Sequence, residues 1–309
     1  MLNVSLNTET PWSSGVALKI ISALGGSSNT LVVGGAVRNW LLDENVNDID
    51  LATKILPEKS MKLLSDIGLN VKPIGLDHGT IAVYEDEKIY EITTLRKDIL
   101  PDGRHSKVVF GEDWKEDALR RDFTINSIYS DSYGNLFDPF NGKKDIEDGI
   151  INFVGNPEKR IKEDYLRILR YIRFFLNYSK SPHNFETIKK IKMNLDGISK
   201  LSKERLLMEL KKIINVEILE KLNNDKISLE LILIIFPELK NVKIFSKLDK
   251  NKKNLLKKKS LIFLISLLII NESDDAEYFF YKFNLSNKDK EKINIIKHFY
   301  KNGDKNSLF

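Results

Sequence analysis

The sequence predicts an α/β front half followed by an all-α back half, and three observations carry that prediction. Up to about residue 155, short β-rich runs alternate with helical stretches and Gly or Pro turns. From Asn156-Pro157 onward, apolar residues recur at helical spacing almost without interruption. The charge also changes sign along the chain. Residues 181–309 hold 26 Lys+Arg against 17 Asp+Glu, a net +9 where the whole chain is +5, so the front is acidic and the back basic. That asymmetry suggests a polyanion held by the C-terminal half, although a lysine-rich composition alone would produce it as well.

The elements follow in order. Residues 12–24 read as an amphipathic helix, "TLVVGG" as a strand, "AVRNWLLD" as a helix and "DIDLATK" as a second strand. Pro57 suits the first turn of a helix running to Gly68. "TIAVYEDEKIYEITTL", residues 80–95, holds two β-rich runs around a charged turn, a hairpin by pattern. Residues 96–117 are polar around Pro101-Asp102-Gly103 and read as a long loop, a kind of segment that is often functional. Asn156 caps and Pro157 opens the first helix of the back half. Breaks in the helical pattern fall near Ser181-Pro182, Asp196-Gly197 and Pro237. "KLDKNKKNLLKKKS", 247–260, is the strongest charge run.

Composition removes several functional classes. With 42% hydrophobic and 30% charged residues in 309, a folded protein of two or three domains is expected rather than disorder. There is no cysteine, which excludes disulfides and thiolate metal sites. His78, His105, His183 and His298 are scattered without ligand spacing, so zinc chemistry is not expected. "LIFLISLLII", 261–270, is too short to cross a bilayer and reads as a buried helix. The first residues show no basic-then-apolar signal pattern, and a soluble cytoplasmic protein is the expectation.

Four stretches carry chemistry. Asp48 and Asp50 are two apart in a predicted strand, so both point to one face. Paired carboxylates repel unless a cation lies between them, and hard divalent ions take carboxylates together with substrate phosphates. A solvated strand face would look the same in isolation. Gly34 and Gly35 lie between strand and helix, where bare backbone can approach an anion, and Arg38 sits one turn further on. In "LRRDFTINSIYSD", 119–131, Arg120, Arg121 and Asp122 adjoin an apolar helix face of Phe123, Ile125 and Ile128, either as a salt-bridged helix start or as a second phosphate contact. In "EDYLRILRYIRFF", 163–175, Asp164 and Arg167 are i,i+3 neighbours on one helix face, and Arg170 and Arg173 continue the row. This is either a surface ion pair or an acceptor beside donors, the pattern that can meet the edge of cytosine or adenine.

The motifs "GGAVR", "DID", "EITTLR", "RRDFTIN", "FDPFNG", "EDYLRILRYIRF" and "SKERLLMEL" follow one another through about residues 30–210. In that series the sequence resembles the class II tRNA nucleotidyltransferases, the CCA-adding enzymes, in the bacterial group that also includes poly(A) polymerases. The resemblance implies an α/β nucleotidyltransferase head of the polymerase-β type followed by an all-α C-terminal part. Residues 1–150 would be the catalytic head, 151–215 a helical neck that recognises the base, and 216–309 a helical body and tail that bind tRNA. Asp48 and Asp50 would be catalytic and would bind Mg²⁺, with Glu91 as a third carboxylate. Gly35, Arg38 and Arg121 would hold the nucleotide by its triphosphate. Asp164 and Arg167 would pair with the base of CTP or ATP, and Arg170 and Arg173 would complete the nucleotide site. A flexible loop at 96–110, with Asp102, Gly103, Arg104 and His105 near its tip, would help the change from CTP to ATP. Glu204, Arg205 and Glu209 would brace the neck.

The implied reaction is template-independent addition of C, C and A to the 3′ end of tRNA with release of pyrophosphate. The partners are tRNA, CTP and ATP, with no membrane and no DNA, and the oligomeric state is open. A relative restricted to A-addition, CC-addition or poly(A) synthesis is the nearest alternative. A non-catalytic RNA-binding module is the alternative from another class, and the intact Asp48 and Asp50 argue against it. Two positions depart from the family's first motif: Asn39 stands where Asp is usual and Asp43 where Gly is usual. Changed bracing of the turn is expected there rather than lost chemistry. No His-Asp dipeptide is present, so the hydrolase domain of some relatives is not expected.

Overall fold

Strand β1 (Thr30–Val33) is buried along its whole length and lies inside a sheet. In a computed structural model that describes residues 9–85, 87–99, 107–271 and 274–302, the chain divides into two compact units. The first comprises Met1–Asp164 with Lys180–Pro182, the second Tyr165–Ser179 with His183–Phe309.

In the first unit, seven strands among the described residues form one sheet in the order β3-β4-β5-β2-β1-β8-β9. They are β1, β2 (Ile49–Thr53), β3 (Val71–Gly75), β4 (Thr80–Glu85), β5 (Lys88–Thr94), β8 (Tyr129–Ser130) and β9 (Leu136–Phe137). Only β2 and β5 run parallel; the other neighbours are antiparallel. Helices α1 (Gly15–Ala23), α2 (Gly35–Leu41), α3 (Pro57–Asp66), α4 (Trp114–Leu119), α5 (Gly142–Asp148) and α6 (Pro157–Glu163) lie in the same unit. Leu31, Val33, Ala52, Leu95, Ala118 and Tyr129 form a core that joins β1, β2 and β8 to α4. The alternation of β2 and β5 has one consequence for function. Ile49, Tyr90 and Ile92 turn inward, while Asp50 and Glu91 turn outward on the same face.

Two expectations for this unit change. Residues 96–117 are not a loop throughout. β6 (Arg96–Ile99) pairs antiparallel with β7 (Lys107–Phe110), from Arg96↔Phe110 to Ile99↔Lys107, and α4 begins at Trp114. The ladder is anchored at its base, where the Gly111 N–H donates to Leu95 O and the Arg96 guanidinium donates to His78 O. Main-chain pairing supplies the order that polar side chains do not advertise. Asp102, Gly103, Arg104 and His105 lie outside the described residues. Second, "RRDFTIN" does not start a helix; it follows the end of α4, with a single 3-10 turn at Thr124–Asn126. Phe123, Ile125 and Ile128 are buried as expected, but from an irregular segment. That segment is held by the Phe123↔Phe153 bridge and by bonds from the Thr124 N–H to Asn152 O and the Val154 N–H to Asp122 O. The same bonds make residues 152–154 part of the first unit.

The second unit is helical among its described residues: α7 (Leu166–Tyr178), α8 (Phe185–Met193), α9 (Lys203–Ile213), α10 (Val216–Asn224), α11 (Lys226–Ile235), α12 (Lys250–Lys257), α13 (Leu261–Ile269), α14 (Asp275–Phe283) and α15 (Asn287–Asn302). The predicted breaks are real: Ser181-Pro182 lies between helices, Asp196-Gly197 lies in a 3-10 stretch, and Pro237 follows α11. Asn184, Ser202, Asn215, Asp225, Asp249 and Ser260 each cap a helix through a side-chain oxygen, so local chemistry sets most helix starts. "LIFLISLLII" is α13 and is largely buried, and no helix among the described residues is long and apolar enough to cross a membrane.

Candidate active site

Val33 pairs with Asp50 across β1 and β2, and the chain turns at Gly34, the next residue. The glycine turn therefore leaves the sheet beside the carboxylate. Gly34 has φ 76° and ψ −127°, a conformation that favours glycine, and it starts α2. Two guanidinium groups lie against the turn. A Cβ on Gly34 would lie 3.6 Å from Arg121 Nη1, and one on Gly35 would lie 3.7 Å from Arg38 Nη2.

Each arginine is fixed from behind. The Arg121 Nε–H donates to Tyr129 Oη at 3.0 Å and Nη2 to Asp117 Oδ2 at 3.2 Å, while the Tyr129 hydroxyl donates to the same carboxylate oxygen at 2.6 Å. Asp117 also accepts from Arg120 Nε at 2.8 Å. Burial raises the Asp117 pKa, but the charges of Arg121 and Arg120 outweigh it and bring the carboxyl down to about 2. Arg38 is itself buried, and its Nη1 donates to Asn126 Oδ1 at 2.6 Å. From α6, Arg160 donates through Nη2 to the carbonyls of Arg120 and Arg121 at 2.5 and 2.6 Å and pins the segment that carries them.

Asp50 and Glu91 are register partners on adjacent parallel strands, and Asp48 lies two residues before Asp50. The outline of Asp50 is accessible to solvent, yet the protein packed around its carboxyl desolvates it. This burial, then Glu91 and Asp48, push Asp50 up to about 6, while Arg121 pulls it down. Among the described residues no cluster of three or more His, Asp or Glu side chains is drawn together tightly enough to hold a metal ion. The donor set is nonetheless all oxygen, and the mutual repulsion at Asp50 is what a hard divalent cation would relieve.

The other predicted site residues lie elsewhere. Asp164 ends the first unit, and Arg167, Arg170 and Arg173 lie on α7 in the second. Asp164 is therefore not on the helix of the arginines, as the i,i+3 reading expected. It occupies an extended link between α6 and α7, at φ −156° and ψ 105°. Just past the break, Tyr165 docks against Gly197, where any Cβ would collide with its ring, and Lys200 Nζ stands 5.4 Å from the ring centroid. The Arg173 Nε–H donates to Glu209 Oε1 at 2.5 Å, which ties α7 to α9.

Residues 30–152 match the model of the poly(A) polymerase head domain. The mouse mitochondrial CCA tRNA nucleotidyltransferase 1 is 40% identical over 228 residues, 71% of this chain and 52% of that protein. This chain thus spans about half the length of that curated relative. The crystal structure of the Bacillus stearothermophilus CCA-adding enzyme in complex with CTP superimposes with a TM-score of 0.70 at 30% identity, covering 93% of this chain and 70% of that one. A tRNA nucleotidyltransferase complexed with a primer tRNA and an incoming ATP analogue superimposes with a TM-score of 0.68 at 26% identity, over 91% of this chain and 83% of that one. The chain belongs to the CCA-adding enzyme family.

Within the family's first motif, both departures have a structural account. Asn39 Oδ1 accepts from Arg38 Nη2 at 2.8 Å and from Nε at 3.2 Å, so the bracing of the turn is kept by an amide. Asp43 sits just past α2 at φ 55°, in the left-handed region where glycine is the usual residue. The N–H groups of Asp43 and Glu44 donate back to Trp40 O and Asn39 O, closing the helix end in a Schellman arrangement. Sequence reasoning missed Asn126, Tyr129, Asp117 and Arg160. Asp117 had a visible signal, being three and four residues before Arg120 and Arg121. The other three act through tertiary contacts that no spacing announces.

Proposed function

We propose that this chain adds C, C and A to the 3′ end of tRNA from CTP and ATP and releases pyrophosphate at each step. The observation that carries the reading is the convergence of Arg38 and Arg121 on the Gly34-Gly35 turn beside Asp50. A tRNA 3′-hydroxyl attacks the α-phosphate, the bond to the β-phosphate oxygen breaks, and pyrophosphate departs. Gly35, Arg38 and Arg121 hold the triphosphate in line. Asp48 and Asp50 would hold Mg²⁺, with Glu91 beside them; bound there it would supply a lowered pKa for the attacking hydroxyl and charge to steady the leaving oxygens. Asp164 and Arg167 recognise the base, and Arg170 and Arg173 complete the nucleotide site, with Arg173 braced by Glu209. In this reading residues 1–150 catalyse, 151–215 select the base, and 216–309 grip tRNA phosphates through lysines with little sequence reading.

The test is extension of a tRNA transcript that lacks its 3′ CCA, with each NTP supplied separately and then together. Growth by C, C and A with CTP and ATP supports the reading. Addition of A alone, only to a transcript already ending in CC, would replace it with an A-adding enzyme, and a long A tail would replace it with a poly(A) polymerase. Tight tRNA binding without any extension would leave an RNA-binding module.

A further inference from the structure

Arg38 and Arg121 face one turn. Arg121 rests on a carboxylate and a phenol, and amide oxygens grip Arg38 on two sides. Its Nη1 donates to Asn126 Oδ1 at 2.6 Å, and its Nε and Nη2 donate to Asn39 Oδ1 at 3.2 and 2.8 Å. Both amides are committed at their other end as well. Asn126 Nδ2 donates to Asp122 Oδ1 at 3.2 Å, and Asn39 Nδ2 donates to the Asn45 carbonyl at 3.2 Å. These second bonds settle which way each amide points. A flipped Asn126 would aim its NH₂ at a guanidinium and its oxygen at a carboxylate, and a flipped Asn39 would set oxygen against the Asn45 carbonyl.

The two asparagines thus form a keyed clamp. It fixes the plane of the Arg38 guanidinium, with Nη2 beside Gly35, while adding no negative charge of its own. Asn39 reaches further still, because its bond to Asn45 ties the guanidinium to the segment that runs into Asp48.

We propose that Asn39 and Asn126 are positioning residues for polyphosphate binding, acting through Arg38. The proposal rests on the nucleotide reading above and names two side chains that the reading itself does not use.

The test is equilibrium binding of CTP, CMP and inorganic tripolyphosphate to the full chain and to Asn39→Ala, Asn126→Ala, Arg38→Ala and the two double variants, with a thermal melt of each. CTP and tripolyphosphate should bind about tenfold more weakly to each single asparagine variant, within the range of a lost hydrogen bond to a charged group. CMP, lacking the outer phosphates, should change little. Each asparagine substitution should add little on top of Arg38→Ala, since residues acting through one group are not additive. Additive losses, or equal losses for CMP and CTP, would make the asparagines ordinary scaffold and overturn the proposal. Asn126 is buried and its alanine variant is the one at risk of misfolding; half-buried Asn39 then decides the matter alone. A wild-type chain that binds neither CTP nor tripolyphosphate overturns the nucleotide reading and this proposal with it. A wild-type chain that binds both while the variants bind equally well overturns only the proposal.

Discussion

Asp50 and Glu91 stand side by side on parallel strands β2 and β5, in register and on the same outward face. This pairing brings together two carboxylates forty-one positions apart in sequence and places the second against the Asp-x-Asp motif. Asp48→Ala or Asp50→Ala should abolish incorporation of both CTP and ATP while tRNA binding, measured by filter retention, survives. If these carboxylates hold a divalent cation, as proposed, losing their charge should cost several kcal/mol of transition-state stabilisation. Turnover within about tenfold of wild type in either variant would contradict the metal assignment. Glu91→Ala should fall between the wild type and these two.

Asp117 makes a prediction about acid stability. Its folded carboxyl lies at about 2, below its ordinary value near 4, because Arg121 and Arg120 outweigh its burial. A depressed carboxylate stabilises the fold above its unfolded pKa, and that stability is lost as pH falls from about 4 toward 2. Asp117→Asn should therefore lose about 2 kcal/mol at neutral pH and show a flatter acid-unfolding profile between those values. Urea titrations at neutral pH and at pH 3 would measure both effects. An unchanged profile would mean that the buried pair contributes nothing net.

Asp43 occupies a left-handed position at the end of α2. Asp43→Gly should raise stability by roughly 0.5–1 kcal/mol, whereas the β-branched Asp43→Val should lower it by about 1–2 kcal/mol, both read from denaturant midpoints at constant slope. A destabilising glycine would show that the aspartate side chain, rather than the backbone, matters there.

The lysine run is less uniform than its sequence suggests. Lys253 Nζ lies 2.7 Å from Glu220 Oε1, and Lys257 Nζ lies 2.7 Å from Glu217 Oε1, so two of its charges face carboxylates on α10. If the run grips tRNA, Lys258→Gln with Lys259→Gln should weaken binding and lower the log–log salt slope by roughly 0.7–0.9 for each lost phosphate contact. Lys253→Gln with Lys257→Gln should change the slope far less. Equal slopes in both pairs and the wild type would reduce the segment to a solvated face.

Base choice should depend on Asp164 and Arg167. A carboxylate accepts from the amine shared by cytosine and adenine but meets the carbonyl of uracil or guanine acceptor to acceptor, at a cost of roughly 1–3 kcal/mol. Asp164→Ala should blur selectivity in single-nucleotide extension with residual activity. Asp164→Arg combined with Arg167→Asp should raise the relative use of UTP and GTP. An active double variant that keeps its preference for CTP and ATP would reject the assignment.

Much of the molecule was legible in the residues themselves. Alternating apolar positions placed β2 and the β4–β5 hairpin, and Asn156-Pro157 with the breaks near Ser181-Pro182, Asp196-Gly197 and Pro237 marked some of the helix boundaries that follow. These signals are local, carried by side chains within a turn or a strand of the structure they specify. Spacing alone also put Gly34, Gly35, Arg38, Asp48 and Asp50 near one another. What local signals could not decide was which distant groups hold those residues. The register that seats Glu91 beside Asp50, the bond from the Tyr129 hydroxyl to Asp117, the Asn126 contact to Arg38 and the reach of Arg160 to the Arg120 and Arg121 carbonyls all join residues 12 to 88 positions apart. The break at Asp164 belongs with them: residues 163–175 have good helical spacing, but the chain leaves the helix at Asp164, beside the Tyr165 ring seated on Gly197. Local pattern determines which elements can form, whereas side-chain orientation at a site depends on hydrogen bonds and packing that exist only once the sheet and its connections have closed.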